Sequence, residues 1–193
     1  MPIHAQTLAL TTSTAGATAA NNNQTVGWRF DVSGAGLTVN GLGWYDQGND
    51  GLSRSYQVGI WNAGGTLLGS ATVPGGTAAT LNNGFRVVSI TSFFLPAANG
   101  YIVGGLNSTE STDQLLFNST IATIAGVTFR NATFSDFGLG FVPPTQNSVA
   151  NTGFFGPNFT VGPTVVIPEP STVLLLGAGL VLVAATARRR ALG

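Results

Sequence analysis

The sequence predicts an all-β protein, an antiparallel β-sandwich of jelly-roll type, followed by a single C-terminal transmembrane helix. Three patterns support this fold class: apolar residues recur with a period of two, glycine-rich turns separate these runs, and one uncharged apolar run stands near the C-terminus. The predicted divisions are a leader or signal-peptide remnant at 1–6, a β-sandwich domain at 7–162, a linker at 163–170, a transmembrane helix at 171–187 and a basic cytoplasmic tail at 188–193.

The first strong strand pattern consists of Val26, Trp28, Phe30 and Val32, which alternate with glycine or charged residues. Because successive side chains of a strand point to opposite faces, this alternation predicts a half-buried strand with its apolar face on the even positions. Similar β-branched and aromatic content predicts strands over 37–45, 56–61, 85–95, 101–106 and 114–117. Turns that all contain glycine separate the earlier strands, at 34–36, 62–65, 74–76, 82–84 and 99–100.

The alternation is weaker in the later part of the domain. Residues 120–127 fit one short turn of helix, and the phenylalanines between 131 and 160 are interpreted as core residues because large aromatic side chains are usually buried. Residues 161–166 fit either a closing strand or a tether. Their glycine and proline content places the end of the domain near 162.

Composition excludes several classes of function. Only 7% of the residues are charged, and both cysteine and lysine are absent. Without cysteine the chain has no disulfide framework, no thiolate nucleophile and no cysteine metal site. Outside the C-terminal tail four arginines stand against six carboxylates, so the basic patch that a nucleic-acid partner requires is missing.

Catalytic groups are also scarce. The one histidine, His4, lies in the leader, so the domain has neither a Ser-His-Asp triad nor a histidine metal cluster. The carboxylates close in sequence are Asp46 with Asp50 and Glu110 with Asp113, and nothing marks either pair as a general acid beside a nucleophile. We predict that the protein is not an enzyme and has no catalytic residues.

The glycine-containing loop 46–51 is a candidate metal site. Asp46, Asn49 and Asp50 place three oxygen-bearing side chains in six residues, and calcium prefers oxygen ligands. The loop lacks the spacing and the bidentate glutamate of an EF-hand. The alternative is an Asn/Asp-rich turn held by its own side-chain-to-backbone hydrogen bonds. Apart from this calcium site, no cofactor is predicted.

Two tryptophans are candidate carbohydrate contacts. Trp28 shares the apolar face of its strand and is predicted to be core. Trp44 stands next to Tyr45 and Trp61 next to Ile60, so alternation allows one of these two indoles to face solvent and stack on a sugar ring. Burial in the core is the alternative for each.

The C-terminal segment has the properties of a short membrane span. Residues 171–187 are uncharged and apolar, and as a helix they reach roughly 25 Å, which just spans a hydrocarbon core. The prolines of Pro168-Glu169-Pro170 keep a helix from running in from the domain, so this motif is extended and accessible to a processing enzyme. The cluster Arg188-Arg189-Arg190 marks the cytoplasmic side and places the domain on the other side. An anchor that is never cut is the alternative.

These features, in this order and spacing, resemble the PEP-CTERM sorting signal of Gram-negative bacteria. The resemblance implies that an exosortase, a membrane-embedded transpeptidase-like enzyme of bacteria that make extracellular polysaccharide, recognises Pro168-Glu169-Pro170. It also implies an exported protein that is anchored in the inner membrane before processing and then lies at the cell surface or outside the cell. The segments 27–30, 42–46, 57–61 and 67–73 resemble an uncharacterised all-β extracellular module, which implies no activity.

An exported protein also needs an N-terminal signal. Residues 1–6 contain no basic start and no apolar core, yet Ile3-His4-Ala5 before Gln6 looks like the end of a signal peptide. We expect the true signal peptide upstream, in a longer reading frame.

Two functional hypotheses remain. The first is a non-catalytic cell-surface or extracellular-matrix protein that contributes to a biofilm or polysaccharide coat. The second is a module that binds extracellular polysaccharide, supported by calcium.

Overall fold

The alternating runs of the sequence form strands. The computed structural model describes residues 6–12, 17–19, 23–117, 119–148 and 153–162. All the regular secondary structure in these ranges is β-strand. In chain order these are β1 (Thr7–Leu8), β2 (Leu10–Thr12), β3 (Ala17–Ala19), β4 (Gln24–Val32), β5 (Leu37–Tyr45), β6 (Tyr56–Trp61), β7 (Leu67–Val73), β8 (Thr80–Asn82), β9 (Phe85–Leu95), β10 (Ala98–Asn107), β11 (Leu115–Phe117), β12 (Ile121–Thr123), β13 (Val127–Phe134), β14 (Gln146–Asn147), β15 (Phe154–Phe155) and β16 (Pro157–Gly162). The all-β prediction is confirmed.

Several predicted segments lie outside the described residues: the linker at 163–170, the transmembrane helix at 171–187, the basic tail at 188–193 and residues 1–5 of the leader. Within the described ranges, no helix is long and apolar enough to cross a membrane. The chain divides at Pro163 into two units, and the strands above belong to the first.

Two large sheets, both antiparallel, form this first unit. One has six strands in the order β14-β13-β4-β10-β6-β7, and the other has five in the order β1-β16-β5-β9-β8. Smaller sheets, β15-β11-β3 and β12-β2, complete it. The central strands of each large sheet have neighbours from distant parts of the sequence, because β4 lies between β13 and β10 and β5 lies between β16 and β9.

Aromatic side chains from both large sheets meet in the core. The rings of Trp28 and Phe30 on β4 lie 5.8 and 4.9 Å from the ring of Phe159 on β16. All three side chains are fully buried, and Trp28 Nε1 donates a hydrogen bond to the carbonyl oxygen of Pro157 at 3.0 Å. The two sheets therefore pack face to face as a β-sandwich, and the predicted core position of Trp28 is confirmed.

Strand β4 is buried on both faces, so the prediction of a half-buried strand is wrong. Only Arg29 of its nine residues is partly exposed. The outer face is covered by residues 135–145, which we call the covering segment. Thr25 on this face donates a hydrogen bond from Oγ1 to the carbonyl oxygen of Gly140 at 2.9 Å, and Arg29 donates one to that of Thr145 at 3.3 Å.

A row of glycines makes room for the covering segment. Gly27 of β4 pairs with Gly104 of β10, which pairs with Gly59 of β6. A strand glycine often marks a place where another part of the chain approaches closely. Pro144 of the covering segment lies over Gly104, and the ring of Phe141 lies over Gly59. The covering segment can therefore pack closely on the sheet because these aligned glycines have no side chains.

The short helical turn predicted over 120–127 is wrong. Ile121–Thr123 pairs with β2, and Val127–Phe134 pairs with β4. Local preference is weak in so short a stretch, and pairing with strands from the start of the domain decides its conformation. The closing strand begins at Pro157 and ends at Gly162 between β1 and β5.

Both described ends of the domain lie at the same end of the sandwich. Thr7 pairs with Val161, and Gly162 pairs with Thr38 at the start of β5. We call this the termini end. The opposite end, the far end, lies where Pro157 pairs with Trp44, and it carries the loops that follow β5 and β10.

Candidate functional site

The far end brings together both predicted carboxylate pairs. Residues 46–55, the first far-end loop, carry Asp46 and Asp50, and residues 108–114, the second far-end loop, carry Glu110 and Asp113. Hydrogen bonds join the loops. Gln114 donates its backbone N–H to Gln47 Oε1 at 3.1 Å, and Arg54 Nη1 lies 2.7 Å from Glu110 Oε2. The loops therefore form one polar surface patch, although no sequence pattern predicts their contact.

Asp46 is a buried, fully engaged carboxylate. Its Oδ2 accepts a hydrogen bond from Arg86 Nε at 2.7 Å, and both its oxygens lie 3.2 Å from the backbone N–H of Gly51. Arg86 also donates to the carbonyl oxygens of Ala79 and Asn49, each at 3.3 Å. The guanidinium thus supplies the counter-charge of Asp46 and ties the first far-end loop to β9.

This arrangement bears on the predicted calcium ligands. Asn49 has a φ of 61° and holds the turn with its backbone carbonyl, while Asp50 is exposed and accepts no hydrogen bond from the described residues. Among those residues no group of three or more histidine, cysteine, aspartate or glutamate side chains could hold a metal ion. The geometry favours the self-bonded turn, and calcium binding by Asp46, Asn49 and Asp50 stays a prediction.

A second polar cluster ties the far-end loops together below the surface. Asp113 Oδ2 accepts hydrogen bonds from Tyr56 at 2.8 Å and from both the backbone N–H and the hydroxyl of Ser53 at 2.7 Å. The Tyr56 hydroxyl also contacts Ser111. Burial raises the pKa of Tyr56 to about 12; hydrogen bonds from Ser111 and Ser53 oppose this rise, and the carboxylate of Asp113 adds to it. Tyr56 is therefore a neutral donor at physiological pH.

The carboxylates of Asp46, Glu110 and Asp113 each have a described partner. Asp46 faces a guanidinium, Glu110 faces another, and Asp113 accepts three hydrogen bonds. The arrangement can hold two loops in a fixed conformation and present polar groups to a partner.

Neither predicted carbohydrate contact presents an exposed ring, which corrects the expectation for Trp44 and Trp61. Trp44 is 0% exposed and stacks on Tyr56, with ring centroids 4.3 Å apart and planes 9° from parallel. Trp61 is 2% exposed and packs against Phe141 of the covering segment at 5.1 Å. Trp44 faces inward because a register shift between Val39 and Gly41 changes the alternation of β5.

Comparison with known proteins locates the sorting signal. The family model of the PEP-CTERM protein-sorting motif matches residues 166–190. The chain carries a PEP-CTERM sorting motif. The match includes both Pro168-Glu169-Pro170 and Arg188-Arg189-Arg190, which confirms the predicted signal. No curated protein and no solved structure matches the chain.

The PEP-CTERM motif has direct implications for how the chain is handled. It implies recognition by an exosortase-type sorting enzyme, and export with membrane-anchored sorting in a Gram-negative bacterium. The domain before the motif is an all-β domain of unknown function.

Sequence reasoning missed Arg86, Tyr56 and Ser53, which organise the far end. A signal for Arg86 was available, because it is the one charged residue of its strand and is flanked by the apolar residues Phe85 and Val87. A lone arginine in such a strand indicates a buried partner. No comparable signal marked Tyr56 or Ser53.

Proposed function

We propose that this chain is a non-catalytic cell-surface or extracellular-matrix protein that an exosortase-type enzyme processes at Pro168-Glu169-Pro170. The observation that carries the proposal is the PEP-CTERM motif at 166–190. Residues 171–187 span the inner membrane before processing, and Arg188-Arg189-Arg190 remain on the cytoplasmic side. After cleavage the β-domain contributes to the cell surface, a biofilm or a polysaccharide coat.

The position of the domain ends supports a display role. Thr7 and Gly162 both lie at the termini end, and Gly162 is followed in sequence by the linker at 163–170. A domain attached at that end presents its far-end loops away from the attachment. Those loops are held by buried hydrogen bonds around Asp46 and Asp113, so they form a fixed surface.

We further infer that the sandwich is of the jelly-roll type. In one sheet the strands β1-β16-β5-β9 are adjacent, and in the other β4-β10-β6-β7 are adjacent. Each set interleaves early and late strands as two nested Greek keys require. In this interpretation β13 extends the second set at its outer edge.

Mass spectrometry of the protein released by its natural host tests the processing step. We expect the released chain to end near Glu169 and to lack residues 171–193. Replacing Pro168-Glu169-Pro170 by three alanines should leave the full chain in the membrane fraction. The matched control replaces Pro163, Thr164 and Val165 by alanine, just before the matched residues 166–190, and should be processed as the wild type is.

An intact Leu192-Gly193 end on the wild-type protein would contradict the processing step and favour a permanent anchor.

Polysaccharide binding is the second candidate that the sequence suggested. Because Trp44 and Trp61 are buried, we do not place such a site on their rings. A glycan-array screen with and without calcium checks it: specific binding would favour a module that recognises polysaccharide over a purely structural role.

A further inference from the structure

One side of the sandwich has two open strand edges. Strand β7 is the last strand of its sheet and pairs only with β6 among the described residues. Strand β9 pairs with β8 only over 85–87, so residues 88–95 have β5 on one side and no described strand on the other. A groove of about 520 Å³ lies between the two edges, and its walls come from both strands.

The edge of β7 has few of the features that normally protect such a strand. Natural edge strands are short or carry charges, prolines, inward-pointing charged residues or β-bulges, and β7 has only a register shift against β6 at Leu68. The outer strands β1, β8 and β14 have two or three residues each. In contrast, β7 has seven residues with neither a charge nor a proline, and Leu67 and Leu68 on it are 44% and 39% exposed. Within the described ranges its edge is therefore open to pairing.

The open part of β9 has the same character. Residues 88–95 carry no charge, and Phe94 is 54% exposed. The ring of Phe93 lies against Gly69 of β7, which keeps the two edges close together. An uncharged strip with unpaired backbone groups on both walls fits another β-strand best, because only a strand satisfies a row of backbone N–H and C=O groups.

We propose that the occupant is a second copy of this chain, with β7 pairing antiparallel to β7 of the other copy about a two-fold axis at Ser70. In such a contact each residue faces a residue of the same strand. Any charged residue near the axis would face the same charge on the other copy and be repelled, and β7 has no charged residue. Gly69, Ser70 and Ala71 at the centre are small enough for the backbones to approach, while Leu68 faces Thr72. The same axis brings the uncharged edges of the two β9 strands to one side.

Cysteine cross-linking of the full chain in detergent tests this pairing, because the natural sequence has no cysteine. In an antiparallel pair the Cα atoms of facing residues lie roughly 4.5–5.5 Å apart, within the range of a disulfide. We therefore expect Ser70→Cys to give a disulfide-linked dimer under mild oxidation. Thr128→Cys is the matched control, an exposed residue on β13 in the same sheet, and it should give no disulfide-linked dimer.

A charge at the axis is the second arm. Ser70→Arg should weaken self-association in sedimentation equilibrium by about tenfold or more, because it places like charges opposite each other. Thr128→Arg should leave it unchanged. Ser70 is exposed, so circular dichroism and the melting temperature should show that both variants fold.

Three results would overturn the proposal. The first is equal cross-linking of the two cysteine variants. The second is self-association that Ser70→Arg does not weaken, which is the result expected if the copies touch through the C-terminal segment instead. The third is a monomeric wild type whose retention on a polysaccharide gel is lost in Ser70→Arg, which would assign the groove to a glycan. None of these results depends on cleavage at Pro168-Glu169-Pro170, so the proposed processing stands or fails separately.

Discussion

Arg86 Nε lies 2.7 Å from Asp46 Oδ2 in an ion pair whose side chains are only 8% and 0% exposed. The pair joins β9 to the first far-end loop across 40 residues of sequence. A buried charge without its partner is far more costly than a paired one, so the first far-end loop depends on this contact for stability.

Removing the Asp46 carboxylate should destabilise the domain strongly. We expect Asp46→Ala to lower the free energy of unfolding by roughly 3–5 kcal/mol, because it leaves a buried guanidinium without a counter-charge. Urea denaturation measures the change. The control is Glu110→Ala, whose partner contact lies at the surface with Glu110 79% exposed, and whose cost should stay below about 1 kcal/mol. Equal costs for the two variants would show that the Asp46 pair has no special role.

The self-bonded turn and the calcium site predict different responses to calcium, and the self-bonded turn predicts that calcium does not stabilise the domain. The carboxylate of Asp46 is already engaged by Arg86 and Gly51, so a cation there would have to displace a guanidinium. We expect the melting temperature to be the same with millimolar calcium and with a chelator. A melting temperature that is higher in calcium would instead establish the predicted metal site, provided that Asp50→Asn abolishes the increase and Asp136→Asn does not.

Tyr56 should make the domain sensitive to alkali. In the folded state its pKa is raised to about 12, whereas an unfolded tyrosine titrates near 10. Between about pH 10 and about pH 12 the Tyr56 hydroxyl has lost its proton in the unfolded chain but retains it in the folded chain. The free energy of unfolding therefore falls as the pH rises. The Tyr56 contribution is fully present below about pH 10, and roughly 2–3 kcal/mol of it is lost by about pH 12.

Urea unfolding at several alkaline pH values measures this dependence. Tyr56→Phe should remove most of it, while the smaller rises in the pKa of Tyr45 and Tyr101, both caused mainly by burial, should leave a weaker slope in the same direction. A wild-type domain with constant stability across this interval would refute the assignment.

Gly105 should not tolerate a side chain. The Trp44 ring rests on this glycine, and a Cβ atom would also come within 3.0 Å of the carbonyl oxygen of Gln57. We expect Gly105→Ala to lower the melting temperature, at a cost of about 1–3 kcal/mol from overpacking. Gly64→Ala is the matched control, since its Cβ would meet nothing closer than 3.4 Å, and its effect should lie within about 0.5 kcal/mol.

Local patterns predicted the early part of the domain well. Strands β4, β5, β6, β9 and β10 follow from alternation and from the turns between them, because both are properties of neighbouring residues. The covering segment could not be predicted in the same way, since its conformation depends on Thr25 and on a glycine row that forms only when β4, β10 and β6 are aligned.

The far-end contacts illustrate the same limit. Sequence spacing indicated Asp46 with Asp50, but the structure pairs Asp46 with Arg86, and Asp113 with Ser53 and Tyr56. Such pairings depend on strand order rather than on spacing. The tryptophans depend on it as well: Trp61 is buried because Phe141 of the covering segment packs against it.

The position of β16 has a mechanical consequence. A pull on the C-terminal side of Gly162, balanced by a hold on the far-end loops, runs along the axis of this strand. Hydrogen bonds between antiparallel strands lie perpendicular to that axis, and β16 is bonded to β1 on one side and β5 on the other. Shear of this kind loads all the bonds at once instead of breaking them one after another.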